Sequence, residues 1–213
     1  MSREEVARVL RAIAERISDF RDELNRLDAA SGDGDLGVTL TEAAAATEAA
    51  LGSDASNLPS MLRACGAEIA RRAPSTSGTL IATGFLAAAR VEHDAAPTPI
   101  ESLAQSLEAA EAAIKARGKA QYGDRTLLDA LRPAVATLRR AADEGMSVEA
   151  GLRQAALAAR DGAAQTATME PRAGRARWIP ERARGNEDGG AVFVAIGFEA
   201  AWRTVAGNIA GRS

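Results

Sequence analysis

In SREEVARVLRAIAERISDF (residues 2–20), Val6, Leu10, Ile13, Ile17 and Phe20 recur at steps of four, three, four and three. That spacing lays them along one stripe of an α-helix. Ser2 is placed to cap the helix, and Glu4 and Glu5 face its positive dipole end. The same grammar recurs along the chain. Asn57-Leu58-Pro59 and Thr98-Pro99 are cap-then-proline starts, leading into Leu62, Cys65 and Ile69 and into Leu103, Leu107, Ala110 and Ile114. Leu127, Leu128, Leu131, Val135 and Leu138 make a further stripe, Ser147 opens another helix, and Gly190 starts a last one through Val194, Phe198 and Trp202. AVFVAIGF (191–198) is the one run that tempts a strand assignment, but it follows a glycine pair and continues at helical spacing. Pro133 lies in a helical stretch, where a kink or break is expected.

Composition agrees with this periodicity. About a quarter of the 213 residues are alanine and aromatics are 3%. Alanine is the best helix former, so the core has to come from Leu, Ile, Val and close Ala-mediated contacts. The expected fold is all-α: eight or nine helices with short links, in a bundle or barrel that forms one domain over residues 1–213.

Charge and cysteine usage exclude other classes. A net charge of −3, with 29 acidic residues against 26 basic ones, offers no basic stripe for nucleic acid. No run approaches 18 apolar residues and the first residues are a charged helix start, so no membrane association is expected and the location expected is cytoplasmic. A single cysteine, Cys65, precludes an internal disulfide framework and reads as a small buried helix residue. The only histidine, His93, lies in a linker away from every motif and reads as a surface residue rather than a phosphocarrier.

Three loops do not suit a plain bundle: LDAASGDGDLGVT (27–39), APSTSGT (73–79) and the Arg-, Gly- and Pro-rich tract 168–191. In the first, Asp28, Asp33 and Asp35 place three carboxylates within eight residues of one another. Like charges this close repel unless a cation neutralises them, and hard cations such as Mg²⁺ take carboxylate oxygens. A solvated acidic turn whose aspartates act as helix caps remains the alternative on residue types alone. The GxGxxG match at 32–37 leaves a helix rather than a strand and carries two carboxylates, so it is no dinucleotide fingerprint. Counted from Asp33, the calcium-loop template has Ala44 where its glutamate belongs, and Gly118-Lys119 is followed by Ala120, so no P-loop is present. The second loop puts Ser75, Thr76 and Ser77 at a helix start, where free N–H groups and hydroxyls form an anion site. The third contains Arg175, one of several arginines able to meet a phosphate, and keeps Trp178 and Ile179, so it reads as a ligand lid.

Taken in order, LDAASGDGDLG, PSTSGTL, GKAQYGDRTLLDAL, GRARWIPERARG and NEDGGA resemble the nucleotide-binding L domain of dihydroxyacetone kinases over essentially the whole chain. The resemblance implies a barrel of eight antiparallel helices with an ATP or ADP site at one end. It further implies that Asp28, Asp33 and Asp35 hold two Mg²⁺ ions, that Leu36, Gly37, Val38 and Thr39 form a phosphate-contacting turn, and that Thr76 and Ser77 add helix-start contacts. Gly118 and Leu127 then line the adenine pocket, Arg175 is the phosphate-side arginine, and Asp188, Gly189 and Gly190 cap the nucleotide. The sequence departs from the family in having Leu36 where histidine is common, PSTSG for the more familiar GGxSG, and WIPER where Tyr or Leu is usual.

For partners, the resemblance implies a K-type subunit or domain that binds the ketone covalently through its own histidine, which makes this chain half of a phosphotransferase. The donor is either ATP itself or a phosphohistidine carrier protein that recharges bound ADP. The acceptor is dihydroxyacetone or a related ketose such as erythrulose, and the assembly is a homodimer or a heterotetramer with the K subunit. A nucleotide-loaded docking module without catalysis is the rival from another class.

Overall fold

The computed structural model describes residues 1–30, 32–174 and 176–210, apart from the side chains of residues 94 and 208–210. The helices are α1 (Arg3–Asp19), α2 (Arg21–Ala29), α3 (Leu36–Leu51), α4 (Leu58–Arg72), α5 (Thr76–Ala88), α6 (Pro99–Gly118), α7 (Leu128–Asp143), α8 (Val148–Gln165), the short α9 (Pro180–Ala183) and α10 (Gly189–Ala210). No strand occurs among the described residues. The expected starts are present: Ser2 and Glu5 form a reciprocal capping box on α1, and Asn57, Thr98 and Ser147 cap α4, α6 and α8.

The helices α1, α3, α4, α5, α6, α7, α8 and α10 each pack on the next, and α10 returns to α1, so their contacts close a ring. α2 stands outside that sequence and packs on α3 and α10. Ten α-helices rather than eight or nine are present among the described residues. The first helical stretch divides at Phe20, and the lid tract contains α9.

Alanine does the work expected of it between α7 and α8, where Ala130, Ala134, Ala155, Ala159 and Ala163 are all fully buried. Pro133 does not break α7, which continues through it. Proline has no N–H to give the Asp129 carbonyl four residues back. Gly162 of α8 packs so closely on that carbonyl that a Cβ there would collide with it. The two backbones thus approach closely at the carbonyl the proline leaves unbonded.

The stripe along α1 faces inward, but the centre of the ring is not filled: a cavity of about 320 Å³ is lined by apolar side chains including Leu10, Ile13, Phe85, Leu107, Phe193 and Phe198. His93 is half-buried rather than on the surface, with Nδ1 3.1 Å from the Ser102 hydroxyl and Nε2 3.1 Å from the Ala88 carbonyl oxygen. Cys65 is buried in α4, and burial pushes its thiol up to about 11, which makes it inert. No described helix is long and apolar enough to cross a membrane.

Candidate functional site

The acidic loop connects the end of α2 to the start of α3. Asp28 sits in the last turn of α2, and Asp33 and Asp35 precede α3. One carboxylate oxygen from each lies within 4.8 Å of the other two. The loop is folded back by Asp28 itself, whose Oδ2 accepts the Gly34 N–H at 2.8 Å, with Gly34 in the left-handed region at φ 79°. Burial, and after it the charges of Asp33 and Asp35, push the Asp28 carboxyl above its ordinary range, while backbone N–H groups pull the other way. Three converging hard oxygen donors are suited to a divalent cation such as Mg²⁺.

The start of α3 is ordered from outside. Asp35 gives it no side-chain cap; instead the Asn25 Oδ1 of α2 accepts the N–H groups of Gly37 and Val38 at 2.7 and 3.2 Å. Gly37 has to be glycine, because a Cβ there would collide with the Arg21 carbonyl. Leu36, in place of the common histidine, turns into the core together with Thr39. A Cβ on Gly189 would lie 2.7 Å from Leu36 Cδ2, and one on Gly190 3.2 Å from Leu127 Cβ. The α10 start is therefore wedged between the acidic loop and the 119–127 turn.

Ser75 caps α5 by accepting the Gly78 N–H at 3.0 Å. Thr79 N–H reaches the Ser75 carbonyl, which leaves Thr76 and Ser77 as the first-turn donors without an intrahelical partner. Gly118 packs on Leu80, one turn further along α5. The structure thus brings Asp28, Asp33 and Asp35 together, packs Gly189 on Leu36 beside them and packs Gly190 on Leu127. Thr76 and Ser77 open α5, and Gly118 meets that helix at Leu80. Arg175 lies outside the described residues.

Asp188 immediately precedes α10. Its Oδ1 accepts the Ala191 N–H at 2.9 Å and its own N–H donates to Thr166 Oγ1 at 2.8 Å. Burial pushes its carboxyl up to about 6, with Asp129 and Asp28 adding to the rise and Arg125 opposing it. The tract 168–191 is not a bare loop: a short 3-10 turn at Thr166–Thr168 leads into it, and another at Ala176–Trp178 and the helix α9 give it form. Arg182 of α9 donates to the Ala29 carbonyl at 3.0 Å, which ties the tract to the acidic loop.

Sequence reasoning did not single out Asn25, Arg125, Asp129, Thr166 or Arg182. Asp129 and Arg125 lie inside the GDRTLLD stretch, which was noticed only as part of a motif. Asn25 and Thr166 had no local signal, since each acts on backbone far away in sequence.

With the geometry in hand, comparison with known proteins is informative. Residues 30–203 match the family described as DAK2 domain. The chain is 37% identical over 195 residues to D-erythrulose kinase of Mycolicibacterium smegmatis, an alignment that covers 90% of this chain and 33% of that protein. It is 29% identical to the ADP-binding subunit DhaL of the PEP-dependent dihydroxyacetone kinase of Escherichia coli, covering 91% of this chain and 93% of that subunit. The crystal structure of the dihydroxyacetone kinase from C. freundii in complex with AMP-PNP and Mg²⁺ superposes with a TM-score of 0.72 at 29% identity, over 93% of this chain and 33% of that one. The chain therefore spans about a third of the long kinases it resembles and nearly all of the short subunit.

Proposed function

The chain belongs to the DAK2 domain family, and from that premise we propose that it is the nucleotide-binding, phosphoryl-transferring part of a kinase for small ketoses. The reading is carried by the convergence of the Asp28, Asp33 and Asp35 carboxylates within 4.8 Å, beside the start of α10. Asp28, Asp33 and Asp35 would hold two Mg²⁺ ions, which would supply charge neutralisation to the nucleotide's phosphates. The turn of Leu36, Gly37, Val38 and Thr39, ordered by Asn25, lies beside the phosphates. The free N–H groups of Thr76 and Ser77 orient them from the other side, where a helix N-terminus favours negative charge. Gly118 and Leu127 flank the base, Asp188, Gly189 and Gly190 cap the nucleotide, and Arg175 stabilises the transferring group.

Relatives named as dihydroxyacetone and erythrulose kinases support a short ketose as acceptor, held by a separate K-type subunit or domain. The donor is ATP, or ADP recharged in place by a phosphohistidine carrier. Mixing the purified chain with a K-type partner and either ketone, first with ATP alone and then with the phosphoenolpyruvate-fed carrier system, tests the reading. Ketose phosphate should form under one of the two regimes and vanish when this chain is omitted. No product under either regime, with both ketones supplied, contradicts it.

A further inference from the structure

Arg125 is 1% exposed and sits at φ 62°, in the left-handed region that a non-glycine residue rarely adopts. The turn that holds it is clamped by the fully buried Asp129, whose two carboxylate oxygens accept the N–H groups of Gly123 and Thr126 on either side, at 2.5 and 2.7 Å. From this turn the guanidinium crosses to the lid tract and donates only to main-chain oxygens: Nε to Thr166 at 3.2 Å, Nη2 to Ala183 at 3.1 Å and to Asn186 at 2.9 Å. Nη1 is buried with no hydrogen-bond partner among the described residues.

Burying a guanidinium is costly, and a carbonyl set offsets that cost less well than a carboxylate does. Two loops that only needed joining would be held as well by apolar packing. A planar fork of donors fixes distance and orientation together. What it fixes here is specific. The three carbonyls flank the Asp188–Gly190 turn, and the turn carrying Arg125 leads directly into Leu127, on which Gly190 packs. Thr166, whose carbonyl Arg125 holds, receives the Asp188 N–H on its hydroxyl.

We propose that Arg125 is a positioning residue that sets the Asp188–Gly190 cap against Leu127, on the nucleoside side of the site. This inference rests on the nucleotide-site reading above. Without Arg125, the acidic loop and the α5 start keep their own supports in Asn25 and Ser75, and the cap keeps its contact with Leu36 but loses the bonds that set it against Leu127.

The test is calorimetry of Arg125→Lys against the unmodified chain, with Mg²⁺ present, using ADP and inorganic pyrophosphate as separate ligands. Lysine keeps the charge but cannot span three carbonyls. ADP affinity should fall about tenfold or more, while pyrophosphate affinity stays as in the unmodified chain. A purely structural arginine would leave both ligands alone or weaken them equally, and either result overturns the proposal. Thr166→Val removes the hydroxyl that accepts the Asp188 N–H, keeps the Thr166 carbonyl that Arg125 holds, and should give the same split; it serves where the lysine variant does not fold. If the unmodified chain binds neither ligand, the nucleotide reading falls and this inference with it, an outcome distinct from any result on the variants.

Discussion

Asn25 Oδ1 accepts the Gly37 N–H at 2.7 Å across twelve residues of sequence, so that α2 caps the helix that follows the metal loop. Asp35, the residue in the N-cap position, makes no side-chain cap and keeps its carboxylate among the cluster. The division of labour is physical: a carboxylate spent on capping is less available to a cation. Asn25→Ala should cost about 1–2 kcal/mol of stability, as loss of a helix cap does. It should also weaken Mg²⁺ binding by loosening the loop, whereas Asp35→Asn should leave stability nearly unchanged. Urea unfolding and Mg²⁺ titration check both expectations.

Asp28 carries a proton to higher pH than an ordinary aspartate, because burial and its two acidic neighbours oppose its charge. A cation has to displace that proton, so Mg²⁺ binding releases protons and weakens on acidification. The weakening should begin at a higher pH than for an isolated carboxylate. Titrations at neutral and mildly acidic pH in buffers of different ionisation enthalpy measure it. An affinity unchanged between neutral and mildly acidic pH would contradict this account.

Asp188 makes stability itself depend on pH. Its carboxyl is raised from an ordinary 3.8 to about 6, so the folded state holds the proton more tightly than the unfolded chain does. Stability conferred by this group is present below about pH 4 and is lost as pH rises to about 6, with a ceiling of about 3 kcal/mol. Asn at this position keeps an acceptor for the Ala191 N–H and removes the charge. Asp188→Asn should therefore be more stable than the parent at neutral pH, with the difference disappearing in acid. Thermal unfolding across that pH range measures the difference.

Two glycines in helices separate packing from propensity. A Cβ on Gly197 of α10 meets only Ile13 Cγ2, at 3.9 Å, at the edge of the central cavity. Gly197→Ala should stabilise by about 0.5–1 kcal/mol, the ordinary gain from replacing glycine inside a helix. Gly162→Ala should destabilise despite the same gain, because its Cβ would collide with the Asp129 carbonyl. Paired denaturation curves should move in opposite directions.

Much of this architecture was legible in the sequence because it is written locally. Ser2, Asn57, Thr98 and Ser147 each announce a helix within four residues of themselves, and the acidic loop carries its three aspartates in one stretch. What escaped is non-local. The break at Phe20 has no proline or glycine to mark it. Pro133 signalled a break, yet α7 continues through it where Gly162 of α8 packs on the Asp129 carbonyl. His93 looked like a linker residue but is held by Ser102 and the Ala88 carbonyl. Asn25, Thr166 and Arg125 act across gaps of 12, 22 and up to 61 residues, where no spacing rule reaches. The departure at Leu36 becomes intelligible only in three dimensions, since its side chain is part of the core beneath Gly189.

The most direct measurement is calorimetric titration of ADP into the purified chain with Mg²⁺, with excess chelator, and with Asp33→Ala. The account predicts binding in the first case and its loss in the other two, while the variant keeps the helical content of the parent. Equal ADP affinity under all three conditions would contradict the claim that the three aspartates bind the nucleotide through a metal ion.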